Sequence, residues 1–238
     1  MGAMDFLGRD PPGKTIGQKT HPGLPTAPFP ERRSVAFNTA SNKDVPRDQA
    51  VSQTPSTISP EYQALNAQLH EESPDFGTSG AIHVDKILEF TAKLRVKTFL
   101  DYGCGKGLFK AAMTAKAPQY KVYEYDPAIP GKTRCRDRAD VVVCNDVLEH
   151  VEPAHVDSVL KHIKSIAEVA CVFLIDHLPA AKTLPDGRNA HINLQPYEWW
   201  RDKLGEYFYH VTLLTIETLP DGAYGRTLVA VSAKKLKV

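Results

Sequence analysis

The stretch Asp101-Tyr102-Gly103-Cys104-Gly105-Lys106-Gly107 constrains the fold of this chain more than any other feature. It follows a short apolar run at residues 96–102. A run with helical spacing of its apolar positions follows it, at residues 108–117. Glycine has no Cβ, so glycines at alternate positions let the backbone turn sharply and let a ligand come close. The helix that begins there offers free N–H groups and a partial positive charge to a carboxylate or phosphate.

The segments around this turn repeat the pattern. Short helices are expected near Tyr62, Leu65 and Leu69, and near Val84, Ile87, Leu88 and Leu94. Strands are expected at residues 120–125, 139–144 and 170–175, and helices at 156–167 and 197–204. Two β-rich runs, 207–217 and 226–233, are separated by the turn signal Pro220-Asp221-Gly222. Alternating strands and helices with near-continuous apolar strands predict a parallel sheet covered on both faces. The last two runs lack a helix between them and predict a hairpin. The expected fold is α/β: a Rossmann-like, doubly wound, mostly parallel sheet with a C-terminal antiparallel β-hairpin.

The first 60 residues hold half of the chain's 18 prolines and have no sustained hydrophobic period. They predict an irregular, Pro-rich N-terminal arm at 1–60, ahead of one domain at 61–238. The net charge of +1 gives no support to a general nucleic-acid binder. Cys104, Cys135, Cys144 and Cys171 form no C-x-x-C pair and fall in or beside expected core segments. Such usage fits a reducing, cytoplasmic setting. No stretch approaches 18 apolar residues, so no membrane partner is expected.

Two ligand classes use a glycine turn of this kind. A dinucleotide fingerprint needs G-x-G-x-x-G, and Leu108 stands where its third glycine would be. This counts against a nicotinamide dehydrogenase. The spacing here is D-x-G-x-G-x-G. Asp126 closes the next strand, 25 residues after Asp101, where a carboxylate can accept both ribose hydroxyls of a nucleoside. Glu124 is the competing acid. The third strand runs into Cys144-Asn145-Asp146-Val147-Leu148-Glu149-His150.

Together these motifs closely resemble the class I S-adenosylmethionine-dependent methyltransferases, over about residues 60–233. The resemblance implies S-adenosyl-L-methionine as cofactor, bound by Asp101, Gly103, Gly105, Gly107, Asp126, Asn145 and Asp146. It also implies that Phe76-Gly77-Thr78-Ser79-Gly80 folds over the methionine end, which adds Gly77. One departure stands out. Only about a dozen residues separate Asp126 from Asp140, with Pro127, Pro130 and Gly131 among them. The family's usual helix and third strand are shortened or missing there. The acid that often contacts adenine has no clear match, Asp137 being a weak candidate. In its place lie Arg134, Arg136 and Arg138, which share one face if the segment is extended.

The methyl of a sulfonium is already electrophilic, so the protein's main task is to hold the acceptor in line. An oxygen or amine acceptor also needs to lose a proton, and histidine is the usual base. His150, His177 and His191 follow strand ends, where ligands bind in open α/β sheets. His191 is the first choice of catalytic residue and His150 the second. Trp199 and Trp200 offer a pocket wall or, equally, an anchor for their helix. His155 and His162 are expected on a helix surface and His210 in the core.

Asp146, Glu149, His150 and His191 are also similar to the metal site of small-RNA 3′-terminal 2′-O-methyltransferases. A mixed N/O set can hold magnesium or manganese. A divalent metal is the less favoured reading, because "LEH" also occurs in metal-free relatives. The expectation is methyl transfer to an O or N atom of a small-molecule acceptor. RNA ribose 2′-O methylation and a non-catalytic cofactor-binding module are the alternatives.

Overall fold

The computed structural model describes residues 56–235. Apart from its last five residues, the expected Pro-rich arm lies outside them. The elements in order are α1 (Pro60–Glu72), α2 (Val84–Thr91), β1 (Thr98–Tyr102), α3 (Leu108–Lys116), β2 (Lys121–Tyr125), β3 (Ala139–Asn145), α4 (Val156–Ile166), β4 (Ala167–Asp176), α5 (Tyr197–Tyr207), β5 (Tyr209–Thr218) and β6 (Tyr224–Ser232). The six strands form one sheet in the order β2-β1-β3-β4-β6-β5. The first four are parallel; β6 is antiparallel to β4, and β5 antiparallel to β6. This is the Rossmann-like sheet with its C-terminal hairpin. No described helix is long and apolar enough to cross a membrane.

Strand side chains alternate between the two faces. Leu100, Val142, Cys144, Cys171 and Phe173 pack against α4 and α5, where Val159, Leu160, Ile163, Trp200 and Leu204 meet them. Phe99, Val141, Val143, Val172 and Leu174 pack on the other face against α2 and α3, through Val84, Ile87, Phe109 and Met113. Both faces of the central strands are covered, so Val141–Cys144 of β3 reads as an unbroken apolar run. A third cluster stands apart from the sheet. Tyr62 and Leu69 of α1 pack against Leu184 and Ala190 of the long loop after β4. This pairing roofs the C-terminal ends of the parallel strands.

The third strand of the family pattern is absent. No strand or helix forms between β2 and β3, and β2 is the edge of the sheet. Three histidine expectations are corrected or decided here. His210 is exposed with φ +52°, at a bulge of the edge strand β5, so it is not a core residue. His162 is half-buried rather than on the surface; its Nδ1 lies 2.9 Å from Tyr102 Oη, where α4 crosses β1. His155 stands at the start of α4, with Nδ1 2.9 Å from the Ser56 carbonyl. Trp200 is fully buried in the core and Trp199 packs edge-on to it, so the pair anchors α5. All four cysteines are free, and Cys104, Cys144 and Cys171 are buried.

Candidate active site

The glycine turn is pinned at both sides. Gly103 and Cys104 donate their N–H groups to the Tyr125 carbonyl at 2.8 and 3.1 Å, which ties the turn to the end of β2. Lys106 N donates to Gly77 O at 2.9 Å, which draws the upstream loop over it. The packing leaves no room for side chains. A Cβ on Gly105 (φ +50°) would lie 2.4 Å from Gly77 O, and one on Gly103 (φ +74°) would lie 2.5 Å from Val147 Cγ2. Such positive φ values favour glycine in their own right.

A cavity of about 450 Å³ opens above this turn, within the usual range for small-ligand sites of roughly 300–1,000 Å³. Gly77, Gly103, Gly105, Asp126, Asp146, His150 and His191 all line it. Asp101, Gly107 and Asn145 do not. Asp101 is buried beneath the turn, and burial, then the Glu124 charge, push its carboxyl up to about 8. Gly107 caps α3, and a Cβ there would meet Glu124 Oε1 at 2.4 Å. Asn145 donates to Gly80 O at 3.1 Å and so holds the upstream turn in place.

Asp126 fixes the middle of the cavity. Its Oδ2 accepts from Gly105 N at 3.0 Å and its Oδ1 from Ala128 N at 2.9 Å. Each oxygen keeps a second lone pair for a hydroxyl. The competing acid, Glu124, is paired with Lys110 at 2.8 Å and Lys132 at 3.0 Å, outside the cavity lining. Arg134, Arg136, Asp137 and Arg138 line a separate surface groove; Arg136 stacks over the Tyr123 ring at 4.1 Å and Arg138 pairs with Glu168. None of them reaches the main cavity.

Beyond Asp126 the cavity becomes densely polar. Asp146 sits with φ +60°, accepts from Ser79 Oγ, and lies 4.0 Å from the Arg226 guanidinium. Burial works to raise its pKa, but the Ser79 hydrogen bond and the nearby charges hold it below the usual value. Asp176, at the end of β4, pairs with Arg226 at 2.7 Å. His150 Nδ1 donates to Ala190 O at 2.8 Å and His191 Nδ1 to Leu178 O at 2.5 Å. A carbonyl only accepts, so both histidines carry their proton on Nδ1 and keep a lone pair on Nε2. Burial, then the neighbouring His191, push the His150 imidazole down to about 4. His177 is held between Gln195 O and Thr227 Oγ1 and lies outside the lining.

The metal set read from the sequence is rearranged. Glu149 is fully buried, and its Oε1 accepts from Asp176 N at 2.6 Å. Burial and the Asp146 charge push it well above the usual carboxylate range. The atoms that converge are those of Asp146, Asp176 and His191, within 4.8 Å of one another. Arg226 already supplies the positive charge these two carboxylates need, and we assign no ion to them.

Several lining residues were not singled out from the sequence. Tyr62, Asn66 and His70 project from α1 at spacings of four, and all three line the cavity. The Tyr62 hydroxyl and His70 Nδ1 are buried without partners. A buried polar stripe beside an apolar one on α1 is their signal. Asp176 ends a parallel strand, as Asn145 does, and the same strand-end rule finds it. Arg226 is the one cation in an otherwise apolar strand.

A glycine-turned first strand, a carboxylate closing the second, and a polar cavity over the parallel strand ends define a class I, Rossmann-like methyltransferase. The chain belongs to the family described as "Methyltransferase domain", which matches residues 80–220. Among solved structures it is similar to the 1,6-didemethyltoxoflavin-N1-methyltransferase of Burkholderia thailandensis, solved with 1,6-didemethyltoxoflavin and S-adenosylhomocysteine. The two are 16% identical with a TM-score of 0.51, over 72% of this chain and 88% of that one. It is also similar to magnesium protoporphyrin IX methyltransferase of Synechocystis PCC 6803, solved with S-adenosylmethionine. That match has 16% identity and a TM-score of 0.45, over 71% and 96% of the two chains. No curated protein sequence matches the chain.

Proposed function

We propose that this methyltransferase uses S-adenosylmethionine and moves its methyl group to an oxygen or nitrogen of a small-molecule acceptor. The donor supplies an electrophilic methyl; the chain's residues bind, orient and deprotonate. Asp126 accepts the ribose hydroxyls. Gly103 and Gly105 let the donor lie against the turn, and Gly77 with Ser79 closes over its amino-acid end. The unpartnered Tyr62 hydroxyl, His70 Nδ1 and Asp146 Oδ1 in or beside the cavity are what a polar ligand would satisfy.

The acceptor lies at the polar end, between Asp146, His150 and His191. His191 is the base: its lone pair is on Nε2, and its Nδ1–H is fixed on a main-chain carbonyl. His150 is kept neutral beside it, so it does not repel the proton that His191 takes.

The observation that carries the small acceptor is the roof. The α1 helix and the loop bearing Leu184 and Ala190 pack together over the strand ends through apolar contacts. A cavity of about 450 Å³, partly covered by α1 and this loop, suits a metabolite better than a polymer. The Burkholderia relative is solved with a small heterocycle of that kind. RNA is the second reading; a divalent ion bound by Asp146, Asp176 and His191 in competition with Arg226 would favour it. Labelled S-adenosylmethionine incubated with fractionated metabolite, RNA and protein pools tests the choice. Label in the metabolite fraction, lost on His191→Gln, is the expected result. Label confined to RNA or protein would contradict it.

A further inference from the structure

The donor site has an end that the family pattern leaves without a wall. Resting on the donor reading above, Asp126 marks the ribose, and the cavity extends from it in two directions of different chemistry. Toward Gly77, His70 and Ser79 it is polar. Toward Tyr102, Pro127, Ala128, Val151 and Val159 it is mostly apolar, with the Glu152 carboxylate in the lining but turned to Ser59. A charged amino-acid tail belongs at the polar end beside the helix N-terminus, and a flat purine belongs at the apolar one. The chain between β2 and β3, which could have closed the purine end, turns away after Ala128 and lines the outer groove instead.

The purine end is closed from elsewhere in the chain. Thr57 and Ile58 also line the cavity, with Ile58 packed on the Tyr62–Leu184 cluster, and the residues around them are tied down by long-range contacts. Ser59 donates its N–H and its hydroxyl to the two carboxylate oxygens of Glu152, each at 2.8 Å. His155 Nδ1 donates to Ser56 O at 2.9 Å. Gln63 Nε2 donates to Pro127 O at 2.6 Å, directly after the ribose acid. Ser59 Oγ also caps α1 by accepting from Tyr62 N at 3.2 Å, so the strap and the roof helix form one unit.

We propose that residues 56–63 are the base-side wall of the donor site, standing in for the missing third strand, with Ile58 against the purine face. Glu152 is a positioning residue that holds the strap through Ser59. Donor binding and strap order are then linked: the strap is well held when a purine occupies the cavity and loosens when it leaves.

The test uses the full chain with two ligands, S-adenosylhomocysteine and 5′-methylthioadenosine. They share adenosine and differ in the amino-acid tail. Hydrogen exchange is expected to slow at residues 57–63 with either ligand. Calorimetry is expected to show that Ile58→Asp weakens both ligands by the same factor, about tenfold or more. Ser59→Ala provides a second, milder variant whose affinity is expected to fall for both ligands alike. Unchanged exchange at 57–63 with ligand bound, or unchanged affinity in folded Ile58→Asp and Ser59→Ala, would overturn the proposal. If the wild-type chain binds neither ligand, the donor reading itself fails, and this inference goes with it.

Discussion

The imidazoles of His150 and His191 stand edge to face, with ring centroids 4.6 Å apart. Each is oriented by its own main-chain carbonyl, Ala190 O and Leu178 O. Two imidazoles at that distance can share one incoming proton but not two, since a second charge would meet the first at close range. On the proposed reading, the pair therefore supplies a single base. His191→Gln is expected to lower kcat by about 10²–10⁴, the usual worth of a general base. Affinity for S-adenosylhomocysteine is expected to stay unchanged, because His191 faces the acceptor end. Steady-state kinetics with calorimetry on the same variant checks both.

Glu149 gives a prediction about stability and pH. Its folded-state pKa is raised well above the ordinary 4.5 by burial and by Asp146. Below the unfolded value both states hold the proton, and Glu149 makes no pH-dependent contribution. Above it the unfolded chain releases the proton while the folded chain keeps it, so stability falls as pH rises toward the folded value. Glu149→Gln removes this loss. The variant is expected to be more stable than wild type at pH 7.5, with the difference vanishing near pH 4. Urea unfolding across that range measures it.

Arg226 acts in the opposite sense. It is the cation between Asp176 and Asp146, and without it two half-buried carboxylates face each other. Arg226→Met is expected to cost roughly 2–4 kcal/mol at neutral pH. The cost is expected to shrink as pH falls and the carboxylates take up protons. A pH series of thermal melts is the check, and a pH-independent loss would mean that packing, not charge, is what Arg226 contributes.

Trp200 separates fold from site. It is fully buried under α5 and lines no part of the cavity. Trp200→Ala is expected to destabilise the domain by about 3–5 kcal/mol while ligand affinity in the folded fraction is retained. Urea titration with and without S-adenosylhomocysteine tests this.

What the sequence revealed and what it hid divide along contact range. The strands were legible because Val141, Val142 and Val143 must be buried on both faces whatever surrounds them. The glycine turn was legible because it is local. The gap after Asp126 was legible as a shortage of residues. The roof was not. Tyr62 and His70 lie on a helix whose apolar positions read as an ordinary amphipathic face, and only the loop carrying Leu184 and Ala190 shows what α1 covers. Asp176 and Arg226 became a pair only when β6 ran antiparallel beside β4, which aligns them in register. Glu149 reads as a ligand in sequence because its burial comes from neighbours on other strands.

On the proposed reading, the glycine turn and Asp126 form a nucleoside site for a methyl donor. Calorimetry with S-adenosylmethionine, S-adenosylhomocysteine and NAD, on wild type and on Asp126→Ala, tests it most directly. Binding of the first two and not of NAD, weakened roughly tenfold to a hundredfold by the loss of charged hydrogen bonds in Asp126→Ala, is the expected result. Binding of NAD alone, or equal affinity for S-adenosylhomocysteine in a folded Asp126→Ala, would contradict it.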